Sequence, residues 1–305
     1  MASEIAQKIT ALVRKLVGTT RILEKLATIE DDCRRHAQPK TIPPPENHFP
    51  LTGDTASTRY TVASTFLSGR GIEIGAFAYP LRLPAGAQVQ YVDKYDLGAL
   101  DGLHTIAGLT PGDFGIDMGS VIQPDIIDDG ECLSKIGDYS QDFVIANHVL
   151  EHFENPVKGF RNMLRVLKHG GILYLSLPEM RHSFDSVRQP TPFEHILKDY
   201  TEGPAWSRAA AYAEFSRVFA AHGMDKGLFP RRTGAELAAF EQEIAAEMEQ
   251  TGFSIHFHAW TADGMVEMFA KIKSTFNLSF ETRMMLQNND EVIFVFQKTV
   301  PHIPA

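Results

Sequence analysis

Residues Asp142 to Tyr200 read DFVIANHVLEHFENPVKGFRNMLRVLKHGGILYLSLPEMRHSFDSVRQPTPFEHILKDY. An apolar run, Phe143 to Ala146, stops at Asn147-His148. A helix-patterned stretch with Leu164, Val166 and Leu167 follows, then Gly170-Gly171 and a second apolar run, Ile172 to Leu177, ended by Pro178. Strand, helix, glycine-marked helix stop and strand make a βαβ unit. In an open parallel sheet, ligands bind just beyond the carboxyl ends of such strands. Asn147-His148 and Pro178-Glu179 are therefore the places where chemistry is expected.

Outward from this unit, more strands are expected at Gly71 to Gly75, Val89 to Asp93 and Asp125 to Ile127. Thr261 to Phe276 reads as a helix with Met265, Met268, Phe269 and Ile272 on one face. Leu278 to Met285 and Val292 to Gln297 follow as two strands close enough to pair antiparallel. Residues 181–255 hold two Ala/Glu-rich helical patterns, Ala205 to Ala221 and Thr233 to Gln250. Residues 3–30 place apolar side chains at helical spacing, and Pro39 to Asp54 is a proline-rich linker or arm. The organisation expected is thus a helix and linker over 1–54, a ligand-binding core over 55–180, a helical cap over 181–255 and completion of the core over 256–305. The N-terminal helix is expected to pack on its own domain, with homodimerisation or closure of the acceptor site as the alternatives.

A net charge of -9 argues against nucleic acid, whose phosphates need clustered Lys and Arg. Cys33 and Cys132 are the only cysteines, too few and too far apart for a disulfide framework. Charged residues break the N-terminal apolar pattern and no stretch has the length of a membrane span, so a cytoplasmic setting is expected.

Asp142, His148-Val149-Leu150-Glu151-His152, Asn155-Pro156 and Arg165-Val166-Leu167-Lys168-His169-Gly170-Gly171 resemble the class I S-adenosylmethionine (SAM)-dependent methyltransferases, specifically the methyltransferase domain 11-like group. His169 stands where that group usually has Pro, and Gly170 is expected to cap the helix in a left-handed conformation. The resemblance covers roughly residues 70–180 and, more weakly, 253–298. It implies a Rossmann-like α/β fold: a seven-stranded, mostly parallel sheet with an antiparallel last strand, plus a helical cap insertion for the acceptor. It also implies SAM as cofactor.

Carried over residue by residue, Glu73-Ile74-Gly75 looks like the group's first motif, with Ala76 and Phe77 continuing the loop. Asp93, 20 positions after Glu73, is placed to accept the ribose hydroxyls. Asp129-Gly130 lies where the group has an acid near adenine, and Asn147 and His148 would face the methionine moiety. The chain departs from pattern after Gly75, where Ala76-Phe77-Ala78-Tyr79-Pro80 replaces repeated glycines. With Pro80 and Pro84 in a short link, no full crossover helix fits. A dinucleotide needs that helix for its pyrophosphate; SAM carries no phosphate. Strand-end acids with no ligand are the plainer reading of Glu73 and Asp93.

Methyl transfer to a hydroxyl needs alignment and a base. His182, Asp185, Arg188, His195, Asp199 and Tyr200 follow the fifth strand, in a spacing that resembles a glycan-pathway subgroup. His195 is the expected base, with Asp199 four residues on to orient it. His182 and Arg188 complete the catalytic candidates, Arg188 as a hold on an anionic or polyhydroxyl acceptor. Asp185, Tyr200, His256 and His258 are the expected acceptor contacts, the two histidines alternating along one extended segment. A polar network that only fixes the loop is the alternative.

The expected activity is SAM-dependent methyl transfer to a small-molecule or glycan acceptor, at oxygen. Two other readings stay open: a SAM-binding regulatory module without activity, and a metal-dependent hydrolase using His148-x-x-Glu151-His152. Glu151 and His152 with a further ligand could also hold a divalent ion in a supporting role; the sequence assigns no metal.

Overall fold

A computed structural model describes residues 54–96 and 105–300. The N-terminal helix, the proline-rich linker, Cys33 and any dimer contact through that helix lie outside the described residues. Gly53–Ala305 forms one compact unit. It starts with α1 (Thr55–Phe66), whose N-cap Asp54 accepts from the Ser57 amide. Strands β1 (Gly69–Ile74), β2 (Ala87–Asp93), β3 (Ile126–Ile127) and β4 (Gln141–Asn147) follow. Next come α2 (Pro156–Val166), β5 (Leu167–Pro178), α3 (Phe193–Glu202), α4 (Arg208–Asp225), α5 (Gly234–Thr251), α6 (Ala262–Thr275), β6 (Phe280–Asn288) and β7 (Glu291–Lys298).

The seven strands are ordered β3-β2-β1-β4-β5-β7-β6. β1 pairs in parallel with β2 and β4, β2 with β3, and β4 with β5, while β7 runs antiparallel to both β5 and β6. This is the expected Rossmann-like sheet. The central strands read as apolar runs because both faces are covered. Val144, Ala146, Leu173, Leu175 and Phe296 face a core with α2 and α6, and Phe143, Ile145, Tyr174 and Val295 face one with α1. Residues 75–86 contain no helix, as the prolines required.

Gly170 corrects one expectation. Helix α2 ends at Val166, where Leu167 is already extended and paired with Gln141. Gly170 has φ +82 inside β5, at a register shift between Gln141 and Phe143, so its left-handed backbone serves a strand irregularity and not a helix cap. Strand pairing ends the helix first.

The insertion after β5 builds a small core of its own. Tyr212, Phe215 and Ala220 of α4 meet Ile244 and Met248 of α5, closed by Ile255 and by Ile106 from the loop after β2.

Candidate functional site

The carboxyl ends of β1, β2 and β4 open into a cavity of about 1090 Å³. Glu73, Gly75, Ala76, Phe77, Asp93, Asp129, Gly130, Asn147 and His148 all line it, and neither Phe77 nor Tyr79 fills it. Gly75 sits at φ +64, and a Cβ there would lie 2.9 Å from Val149 Cγ2, so glycine is needed for the turn and for the close approach. Gly130 is fixed by packing: a Cβ would come 2.9 Å from Ile74 Cγ2 and 3.0 Å from the Phe153 ring.

Glu73 is buried and both its oxygens accept from the Leu81 amide, at 2.9 and 3.2 Å. It therefore ties down the loop that stands in for the missing crossover helix. Burial pushes its carboxyl up to about 7, against the Leu81 amide, Arg59 and Asn147, which favour the anion. A folded-state value above the ordinary one gives stability that is complete below about pH 4.5 and is lost as pH rises through about 7. We expect Glu73→Gln to remove that loss: urea midpoints of the two proteins, matched near pH 5, should diverge by pH 8 with the variant more stable. A wild type that loses nothing over this range would refute the assignment.

Asn147 shows an unmet demand. Its Oδ1 accepts from Ser176 Oγ at 2.9 Å, while its buried Nδ2 faces the Glu73 carboxylate without reaching hydrogen-bond geometry. A donor left bare at a cavity wall fits a ligand with an acceptor oxygen. His148, at φ +52, sends Nε2 to Glu291 Oε2 at 3.0 Å. Burial pulls its imidazole down, but the hydrogen bond to Glu291 and the charges of Glu151 and Glu291 outweigh it and raise the value. Glu291 is also gripped by Arg59, at 2.9 and 2.5 Å, and these cations hold its carboxyl at about 2 despite burial. Arg59 lines the cavity too. Sequence reasoning missed this Arg59–Glu291–His148 cluster; its partners are 232 and 143 residues apart and carry no local signal.

The other wall comes from the insertion and from the segment leading into α6, with Phe184, Tyr212, Phe215, Phe219, Phe253 and Phe257 giving it an aromatic surface. Among the expected catalytic and acceptor residues, only His256 lines the cavity. Its Nδ1 lies 2.6 Å from Asp185 Oδ2, and Arg188 Nη1 donates to Asp185 Oδ1 at 2.9 Å. Arg188 also donates to Glu214 and to the carbonyls of His256 and Phe257, and its side chain is 2% exposed. This arginine braces the wall; it does not reach an acceptor.

His195 and Asp199 do form the expected pair, 3.3 Å apart, but it turns away from the cavity. His195 packs on Trp206 and His258, and burial lowers its imidazole. Asp199 is buried, which raises it to about 6, and accepts from Ser207 Oγ at 3.2 Å. His258 is buried and its imidazole is lowered to about 3 by burial. Tyr200 packs on Phe276 and takes a hydrogen bond from Arg161, and His182 is half-exposed beside Glu179.

Residues 122–175, spanning β3 to β5 and so the strand ends that carry Asp129, Asn147 and His148, match the methyltransferase domain family. Over this segment the chain is similar to a methyltransferase domain. Among solved structures it is similar to a SAM-dependent methyltransferase from Thermotoga maritima described as a possible histamine N-methyltransferase (12% identity, 81% of this chain and 90% of that one, TM-score 0.40). It is also similar to a putative SAM-dependent methyltransferase from Methanococcus maripaludis (15% identity, 82% and 90%, TM-score 0.39). A third is the complex between the Haloferax volcanii Trm112 methyltransferase activator and a putative methyltransferase (11% identity, 82% and 90%, TM-score 0.42). No curated protein matches the sequence. No helix among the described residues is long and apolar enough to cross a membrane.

Proposed function

We propose that this methyltransferase transfers the SAM methyl group to a hydroxyl oxygen of a small-molecule or glycan acceptor bound against the aromatic wall of the cavity. The supporting observation is the division of that cavity: strand-end polar groups on one side, and aromatic rings with a braced histidine on the other. Asp93 would hold the ribose and Asn147 Nδ2 an acceptor oxygen of the methionine moiety. SAM supplies an activated methyl on a sulfonium when bound. The chain's own tasks are to align the hydroxyl with that methyl, to exclude water and to take the hydroxyl proton. Five aromatic residues of the insertion, with Phe257 from the segment leading into α6, serve the first two tasks. The proton leaves at the polar end, where His152 and His256 face the cavity and Glu151 lies behind them.

The base assignment therefore moves from His195 to this cluster. His256→Ala should cut turnover by about 100-fold, the usual worth of acid–base catalysis, with SAM affinity unchanged. His195→Ala should change turnover by less than about twofold, since its ring is off the cavity. Mass spectrometry of cell extract incubated with the protein and methyl-labelled SAM identifies the product. Label on nitrogen only would refute the oxygen assignment, and tight SAM binding without any labelled product would favour the regulatory-module reading.

A further inference from the structure

Glu151, fully buried in the turn after β4, has two carboxylate oxygens and no hydrogen bond to either. Beside it stand His152, in the same turn, and His256, from the extended segment that the His258 amide ties to the Glu151 carbonyl at 3.2 Å. One ligand atom from each of the three lies within 4.8 Å of the others. The imidazoles meet edge to face, with centroids 4.6 Å apart.

The outer contacts of these rings decide what the cluster is for. His256 Nδ1 is 2.6 Å from Asp185 Oδ2, a carboxylate itself clamped by Arg188. His152 Nδ1 is 3.0 Å from Ser254 Oγ. The Asp185 carboxylate can only accept, so it holds the His256 proton on Nδ1 and leaves the Nε2 lone pair to give; Ser254 Oγ, accepting from His152 Nδ1, would leave that ring in the same form. A nitrogen of each ring and an oxygen of a carboxylate without a hydrogen bond converge, with His148 Nδ1 3.8 Å from Glu151 Oε1 on the far side, beyond hydrogen-bond distance. Three acceptors around one point are satisfied together by a cation, and an imidazole whose second nitrogen is held by a carboxylate is the usual support of a metal ligand.

We propose that Glu151, His152 and His256 bind a divalent first-row transition ion such as Zn²⁺ or Mn²⁺. Two imidazoles with one carboxylate suit these ions better than Mg²⁺ or Ca²⁺, which take oxygen ligands. Three protein ligands leave a position open, and His152 and His256 turn it toward the cavity. The use of that position rests on the proposed methyl transfer. With the ion bound the two imidazoles act through it and not as free bases: a hydroxyl coordinated there loses its proton near neutral pH to water in the open cavity, in place of direct transfer to His256. Its oxygen then forms the bond to the methyl carbon as the carbon–sulfur bond breaks, and the sulfur leaves as a neutral thioether.

The test titrates Co²⁺, as the probe ion, into chelator-treated full-length protein, followed by isothermal calorimetry and visible absorption. About one equivalent should bind with the intense d–d bands of a four- or five-coordinate ion. Glu151→Gln and His256→Ala should each weaken binding by roughly two orders of magnitude, since losing a supporting contact alone costs up to about 100-fold. Asp185→Asn should weaken it by about 10–100-fold, and His169→Ala, remote from the cluster, should bind as wild type. The wild-type spectrum needs no variant, so a misfolded substitution cannot hide the answer. No stoichiometric binding by wild type, or a Glu151→Gln protein that binds equally well, overturns the proposal. Methyl transfer that persists in metal-free protein overturns the metal and leaves the methyltransferase reading intact. One equivalent of Co²⁺ bound by protein that does not bind SAM supports the site and removes the function proposed for it.

Discussion

Replacing Asp93 with alanine should abolish measurable SAM binding while leaving the protein folded. Asp93 closes β2, pairs in register with Ile127 of β3, and lines the cavity beside the Gly75 turn. A carboxylate at that strand end can accept from both ribose hydroxyls, and each charge-assisted bond is worth about 1.5–3 kcal/mol. Losing two weakens binding by roughly 10²–10⁴-fold, beyond the range of a routine titration. The fold should lose little, because Glu73 ties down Leu81 in the loop after β1, while Asp93 Oδ1 accepts from the adjacent Lys94 amide at an exposed strand end. Calorimetric titration with SAM, alongside a urea melt, checks both halves. An affinity within threefold of wild type would mean that the nucleoside lies elsewhere, and the cavity assignment would fail with it.

This half of the site could be read from sequence because strand ends are local facts. The run Phe143 to Ala146 must stop where Asn147 and His148 stop being apolar, and a parallel sheet brings such ends together. The other half is built by contacts between distant segments. His256 meets Asp185 across 71 residues and Arg188 meets Glu214 across 26, with no periodicity linking them. His195 shows where helical spacing stops being informative. The i,i+4 rule gives the pair with Asp199, but the direction that face takes is set by how α3 packs against Trp206 and His258. Gly170 marks a similar limit: a glycine needing positive φ can serve a helix cap or a strand bulge, and only the pairing of Leu167 with Gln141 decides.

Arg188 provides the second large effect, and its sign separates a brace from an acceptor contact. Its guanidinium is buried among Asp185, Glu214 and two carbonyls, and it joins the turn after β5 to α4 and to the 256–257 segment. Burial raises the Asp185 carboxyl, but His256 and Arg188 together hold it below its ordinary value. Arg188→Ala strips one of these two partners from a carboxylate that is fully buried. Breaking a buried ion pair on one side costs about 3–5 kcal/mol, because the charge left behind is uncompensated. For a domain of this size that is a melting temperature lower by on the order of 10 °C. His256 would then lose the fixed orientation that its Asp185 contact provides, so turnover should fall in the fraction still folded. An Arg188→Ala protein with an unchanged melt and only a raised acceptor KM would show instead that the arginine reaches the acceptor. Glu214→Gln sharpens the comparison: this partner is more exposed, so its loss should cost under about 1 kcal/mol.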